Sequence, residues 1–495
     1  MVVLMGGLAN ASDAMELLCL SILLPAAQCD LSMSSEEKGW LNAMVFFGMM
    51  VGGYVWGTLG DVYGRRRMLI FSLLVNAVAG LLSSLMQEYT GFLVMRFISG
   101  LGVGGSIPLV WAYVSEFQPP QYRGRALSIV ASFWMVGNVL VAAVALAVIP
   151  LQMDSVSSSG FSFSSWRLFL IICALPSLCS GICMMWMPES PMFLLLQNRE
   201  AEALGVLQRI FAANTGRLAK DYPIHNLRHL EGSKEHSSSS EGGARSSNVL
   251  VRAWASVASA TSQAISKSRA LFTPSIARAT CVLLFINFAI AFGYYGLWLW
   301  FPELFNRLEH YYSDHPDSTA SMCDVVEFKG NSSSESSPCD NKDGPVDIDA
   351  LVNTLIVSIA PLPANLWTIV HMDKLGRKFF LVLSMLLSGT SVFGIYFVKS
   401  SLSNLLLSCM FGAVSTMGFN ALDCLGTELF PTRLRSTALA VTLLSARVGA
   451  ICGNIVFGYF VDTVCVLPML IVAVLLISGG LSALFLPNTS RVALS

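Results

Sequence analysis

The sequence predicts an all-α membrane protein of twelve transmembrane helices arranged as two six-helix pseudo-repeats. Three observations carry this. Of the 495 residues, 54% are hydrophobic and only 12% charged, where roughly a quarter is usual for a globular domain. Twelve stretches approach the ~20 apolar residues needed to cross a bilayer. Two polar loop motifs of the first half recur in the second at one fixed offset. A net charge of −1 supplies no basic field for nucleic acid.

Span 1, residues 1–25, begins at Met1 without the basic n-region of a cleaved signal peptide, and leaves open a longer chain upstream. It carries Asp13 and Glu16 within NASDAMELL (10–18). Three apart on a helix, they share a side, about 60° apart. Facing lipid at the midplane, either would cost on the order of 3 kcal/mol. Both are therefore expected to face the bundle interior or a wet central cavity, as candidates for proton coupling or for recognition of cations and hydroxyls. The plain alternative is a buried carboxylate tied to backbone or to Ser12.

Spans 2 to 6 follow at 40–60, 68–87, 90–114, 125–150 and 166–187. Arg96, in span 4, is expected to order that helix or a neighbour rather than touch a ligand. Residues 190–277 form a polar linker with a low-complexity patch, SKEHSSSSEGGARSS (233–247), expected to be partly disordered. Within it EAEALGVLQRIF (200–211) has helical apolar spacing and is expected to lie along the cytoplasmic face. Span 7 is read at 278–301, then a second polar excursion at 302–348. Spans 8 to 12 complete the chain at 349–371, 379–398, 401–427, 436–460 and 464–486. The domains are thus an N-terminal bundle (1–189), a linker (190–277) and a C-terminal bundle (278–495).

Of the 30 Lys and Arg, 22 fall on the side of the linker and five on the other. By the positive-inside rule both termini are cytoplasmic. The excursion at 302–348 is then lumenal. It holds the sequon Asn331-Ser332-Ser333, and Cys323 and Cys339, read as a disulfide pair. A glycan and a disulfide both need that oxidising side, so they agree with the charge argument; a chance sequon and a chance pair are the alternative. Asn10 and Asn488 also match the sequon and are set aside, one in a span, the other cytoplasmic.

After span 2 the chain reads GTLGDVYGRRR (57–67), and after span 8 HMDKLGRKF (371–379). After span 4 it reads EFQPPQYRG (116–124), and after span 10 ELFPTRLRS (428–436). Positions 61 and 373 are 312 apart, as are 116 and 428. One offset shared by two motifs implies parallel repeats, as in secondary transporters whose halves rock about a midplane site. Gly57 and Gly64 are expected to allow close helix approach and a tight turn. Asp61, Arg65 and Arg66, with the equivalent Asp373, Gly376 and Arg377, suit a cytoplasmic latch; Glu116 and Arg123 with Glu428 and Arg435 are expected to join it. Topology anchoring by positive charge alone is the plainer reading.

Asp423 in span 10 and Arg447 in span 11 lie deep in apolar sequence and are expected to pair, since each lowers the other's burial cost. Tyr294 and Tyr295 in span 7, with Asn420 and Asn138 as amides, complete an aromatic and polar set suited to a sugar or an organic ion. Trp298 and Trp300 are read as packing residues near the lumenal interface.

The loop motif Gly57-x-x-x-Asp61-x-x-Gly64-Arg65-Arg66-Arg67 resembles the spans 2–3 motif of the major facilitator superfamily. RFISGLGVGG (96–105) is similar to its span 4 motif and PESP (188–191) to the end of span 6, although Met192 stands where the family has Arg. ASDAMELLCLSILLP (11–25), GVGGSIPLVWAYVSEF (102–117), GYYGLWLWFPEL (293–304) and NALDCLGTELFP (420–431) most resemble the synaptic vesicle glycoprotein two family. That family's large lumenal pentapeptide-repeat domain has no room in 302–348. The resemblance implies the major facilitator fold and a central pocket lined by Trp134, Asp423 and Arg447, the last a lysine in those relatives. Phe419 and Asn287 stand where they have pocket tryptophans.

The expected function is a secondary active transporter of a small polar solute, a sugar or organic ion, by alternating access. Proton coupling would run through Asp13, Glu16 or Asp423. The alternative is a vesicle membrane receptor or trafficking scaffold that keeps the fold. No P-loop, nucleophile–His arrangement or metal spacing stands out, so neither an enzyme nor a cofactor is expected. A monomer in the lipid bilayer of a vesicle or the plasma membrane is expected.

Overall fold

Among the described residues of the computed structural model, twelve helices are long and apolar enough to span a membrane, matching the twelve expected. They are Val2–Ala27, Ser35–Tyr63, Arg65–Ser83, Tyr89–Glu116, Gln121–Val148, Ser165–Met184, Ala277–Ser313, Ile348–Met372, Arg377–Phe397, Ser401–Leu429, Thr437–Phe460 and Val466–Ala483. The structure describes residues 1–151, 155–156, 162–224, 227, 268–274, 276–315, 321–325, 346–430 and 432–487. Asn331, Cys339 and the side chain of Asp373 lie outside the described residues.

The two halves repeat one packing plan. In the first, span 4 packs on spans 2 and 3, span 1 on spans 5 and 6, and span 3 on span 6; in the second, each of these pairs recurs six spans later. Span 1 has no solvent-facing polar side and is almost wholly buried, Asp13 and Glu16 included, as a central helix must be. Spans 2 and 4 touch backbone to backbone, because methyl groups at Gly48, Gly52, Gly100 or Gly104 would collide with carbonyl oxygens of the facing helix. Gly57 does not share this seam. The space beside it is open, so the close approach expected there occurs further up span 2. The halves meet where span 2 packs on span 11 and span 5 on span 8. The linker helix Glu200–Thr215 lies along the face that carries the repeated motifs, as its spacing predicted.

Two boundaries move for physical reasons. Span 2 starts at Ser35, ahead of its hydropathic edge, because Ser34 and Glu37 form a capping box. The Ser34 N–H donates to Glu37 (2.8 Å) and the Glu37 N–H to Ser34 Oγ (3.3 Å). That takes Lys38 into the helix. Span 7 bends at Leu299–Trp300 and continues as Phe301–Asp314. Pro302 sits in its first turn, where no N–H is needed. Phe301, Leu304, Phe305 and Leu308 form a buried stripe there, an amphipathic pattern that a search for apolar runs misses.

The disulfide expectation needs correction. Cys323 is bonded not to Cys339 but to Cys465, with Cα atoms 5.4 Å apart. Cys465 begins span 12 on the same side of the bundle, where the packed segment Ser321–Val325 reaches it. Its place in an apolar run disguised it as a packing residue. Cys29, in the connection of spans 1 and 2, is also disulfide-bonded. Trp298 and Trp300 are packing residues, yet both are interior. Trp298 stacks on Tyr294 at 5.3 Å, and Trp300 on Phe457 at 6.2 Å.

Candidate functional site

In the first half, the span 1 acids turn away from the interface between halves and into their own bundle. Asp13, fully buried, accepts a hydrogen bond from Ser106 on span 4 at 2.6 Å. Glu16 accepts from Arg96 at 2.8 Å and lies 3.0 Å from the Ser99 hydroxyl. Arg96 also donates to Ser83; the Ser99 hydroxyl sits 2.9 Å from Asn76, whose amide donates to Ser177 at 3.1 Å. One polar chain thus ties spans 1, 3, 4 and 6. Ser12 is not part of it, donating instead to its own helix at Ala9. One oxygen of each acid, Asp13 Oδ1 and Glu16 Oε2, keeps no hydrogen-bond partner among the described residues. On span 5, Trp134 is half-buried against the main core. Asn138 is buried, its amide 3.9 Å from Met135 Sδ.

In the second half aromatic residues of spans 7 and 10 meet. Tyr294 and Tyr295 meet Phe419 of span 10 at 5.3 and 6.0 Å, and each other at 5.1 Å. Phe46 of span 2 packs on Tyr295 from the first half at 4.8 Å, so the cluster stands at the junction of the halves. Asn420 donates to Asn365 of span 8 at 2.5 Å. The expected Asp423–Arg447 ion pair does not form. Arg447 and Asp423 instead both lie close enough to the Tyr295 hydroxyl to act on it electrostatically. Asp423 is exposed, one turn from Phe419 and flanked by Asn420, and so faces the wedge between spans 7 and 8. Asn287 is buried and its amide is used by its own helix, at Leu283 O, 2.9 Å.

The repeated loops carry matched ion pairs. Arg65 contacts Glu116 at 3.4 Å in the first half and Arg377 contacts Glu428 at 3.0 Å in the second, so the 312-residue offset of the sequence reappears as geometry. Arg65 also holds Asp61 at 2.5 Å. Gly64 (φ 110°) and Gly376 (φ 91°) make the equivalent turns, in a region that disfavours a Cβ. The Arg66 N–H donates to Glu189 of PESP at 2.9 Å, and its guanidinium to Met184 O at 3.1 Å. Arg123 is exposed and Arg435 half-buried nearby.

At the opposite end lies a charged cluster that the sequence reading missed. Lys38 of span 2 reaches Glu303 of span 7 at 2.7 Å, and Gln28 at 2.8 Å. Arg307 bridges Glu303 (2.8 Å) and Asp462 (2.6 Å), and donates to Ser35 at 2.9 Å. Lys38 is 0% and Glu303 4% exposed. Asp462, just past span 11, loses hydration, yet Arg307 and Ser35 hold its carboxyl below the usual range. The available signal was four charges at span edges on one side, which hydropathy assigns to loops.

The fold defines a class. Twelve membrane-length helices among the described residues, whose packing pairs recur six spans later, with matched loops between spans 2–3 and 8–9, are the architecture of the major facilitator transporters. The partially occluded inward open form of the xylose transporter XylE from E. coli superposes with a TM-score of 0.69 at 17% identity, covering 100% of this chain and 99% of that one. The proton:xylose symporter XylE bound to 6-bromo-6-deoxy-D-glucose gives 0.65 at 19%, over 99% and 96%. The family described as sugar (and other) transporter matches residues 8–291. Synaptic vesicle glycoprotein 2A of Rattus norvegicus is 31% identical over 98% of this chain and 76% of its own length. Synaptic vesicle glycoprotein 2B of Homo sapiens is 30% identical over 99% and 83%. The chain belongs to the sugar (and other) transporter family and is similar along nearly its whole length to the synaptic vesicle glycoproteins 2A and 2B.

Proposed function

We propose that this protein is a secondary active transporter that moves a small polar solute, a sugar or an organic ion, by alternating access. One observation carries the reading: an exposed carboxylate, Asp423, beside an aromatic cluster and Arg447 at the junction of two pseudo-equivalent halves. Tyr294, Tyr295 and Phe419 offer faces on which CH groups stack, while Asp423, Arg447 and the Tyr295 hydroxyl offer hydrogen bonds to hydroxyls. A site with apolar walls and a few convergent polar groups is what small solutes need. Trp134 and Asn138 would close it from span 5. The motif face is cytoplasmic by the arginine count, with both termini on that side. Proton coupling, where present, would use Asp423 or the free oxygen of Asp13.

The relatives' names support residence in a vesicle membrane, and also a second reading, a receptor or scaffold that retains the fold. Uptake of a panel of monosaccharides and organic cations into proteoliposomes at two pH values separates these. Flux that Asp423→Asn abolishes supports carriage. Solute binding without flux under any gradient selects the receptor.

A further inference from the structure

We propose that Lys38, Glu303, Arg307 and Asp462 form the seal that holds the non-motif end of the transport path closed, with Glu303 as its pivot. The inference rests on the alternating-access reading. Lys38 belongs to the first half; Glu303, Arg307 and Asp462 belong to the second. Among the described residues, the ion pair that bridges the halves is Lys38–Glu303, and Arg307–Ser35 is its neighbouring hydrogen bond. Next to Lys38 on span 2, and one turn from Asp462 on span 11, the same two halves cross almost without side chains. A Cβ on Gly39 would lie 2.7 Å from Asn454 O and 2.8 Å from the Gly458 Cα. About two turns further along span 2, Phe46 covers Tyr295. Charge cluster, glycine crossing and aromatic lid thus stack in order from that end down to the candidate solute site.

The cluster is built to come apart. Two ions withdrawn from water gain little net stability over apolar residues, because desolvation offsets their attraction. If the halves part at this end, both Lys38 and Glu303 are rehydrated, so the seal fixes register in the closed form without a deep energy well. A greasy contact of the same size would instead penalise exposure by its full area.

The partners are unequal, and that makes the proposal testable. Glu303 is held by two cations, Lys38 and Arg307. Lys38 has one carboxylate, Glu303, and the neutral Gln28. Glu303→Gln therefore strands a buried ammonium, while Lys38→Met leaves Glu303 still paired with Arg307. Removing the stranded cation, in Lys38→Met/Glu303→Gln, should let the end close again.

The experiment uses the full chain in lipid nanodiscs, with genetically encoded spin labels at Gln87 and Ser400, exposed loop positions of the two halves at this end. Distance distributions are read by double electron–electron resonance. For Glu303→Gln the open-to-closed ratio should rise roughly a hundredfold; for Lys38→Met it should rise less than about tenfold. The double variant should return toward the wild-type distance. An unchanged distance in Glu303→Gln, or a double variant as open as Glu303→Gln alone, would overturn the seal. General unfolding cannot mimic the expected pattern, because the second substitution would add damage rather than repair it. The distances report on the seal whether or not any solute crosses, so failure of uptake and failure of the seal are distinguishable.

Discussion

Carboxylates embedded in the two halves of this molecule meet opposite fates. Glu16 and Asp13 in the first half are wholly buried, tied to Arg96, Ser99 and Ser106 of one neighbouring helix. Asp423 in the second half is exposed and has no ion-pair partner at Arg447, although that arginine shares its tyrosine neighbour. The difference teaches that an acid in an apolar span is not by itself a ligand site. Its neighbours decide: a carboxylate already bound to a helix of its own bundle stabilises that bundle, whereas one left facing open space is available to a solute.

The strongest way to break that contrast is to remove the cation of the first half. Arg96→Ala would leave Glu16 buried and unpaired, and should cost about 3–5 kcal/mol in unfolding stability in micelles. Asp423→Asn should move stability by no more than about 0.5 kcal/mol while abolishing solute uptake. Equal losses of stability in the two variants would show that Asp423 is also structural, and the asymmetry would vanish.

A milder pair sharpens the contrast at the level of single hydrogen bonds. Ser106→Ala strips Asp13 of its one side-chain partner, and should cost about 1–3 kcal/mol in stability with solute affinity intact. Tyr295→Phe removes a hydroxyl beside Arg447 at the candidate site. There the expectation reverses: stability close to wild type, solute affinity down roughly tenfold by isothermal titration. Should Tyr295→Phe leave affinity untouched, the solute does not reach the aromatic cluster from span 7.

Much of this architecture was legible in the sequence, because a bilayer imposes long apolar helices and the repeat writes its motifs twice. The Arg65–Glu116 and Arg377–Glu428 pairs follow from two loop motifs sharing one offset. What the sequence concealed was direction. Asp13 and Glu16 sit at positions compatible with either side of span 1, and only the packing against span 4 decides. Arg96 is distant in sequence from Glu16, so no local rule pairs them. Cys465 and Lys38 were hidden differently, one inside an apolar run and the other before the hydropathic edge of a helix whose start is set by the Ser34–Glu37 cap. Each error arose where a tertiary or capping interaction overrode the linear pattern.

The smallest effect concerns acid. Asp462 faces Arg307 and Ser35, with Glu303 and Lys38 behind them. Loss of hydration alone would raise its pKa, but the cation and the hydroxyl lower it more. A depressed carboxylate contributes stability that is complete above its unpaired pKa, about 3.9, and is lost only as pH falls through the lower, paired value. The closed distance between Gln87 and Ser400 should therefore hold from about pH 7.5 to about pH 5 and lengthen only in stronger acid. Ser35→Ala removes one of the groups holding the carboxyl down, so its onset of opening should move to higher pH, by a fraction of a unit. Opening of the wild-type protein between about pH 7 and pH 5 would mean that Asp462 is not held by Arg307 in the membrane. The charges of the second half at this end would then be as solvent-facing as Asp423, and the contrast between tied and free carboxylates would need to be drawn within that half rather than between the two.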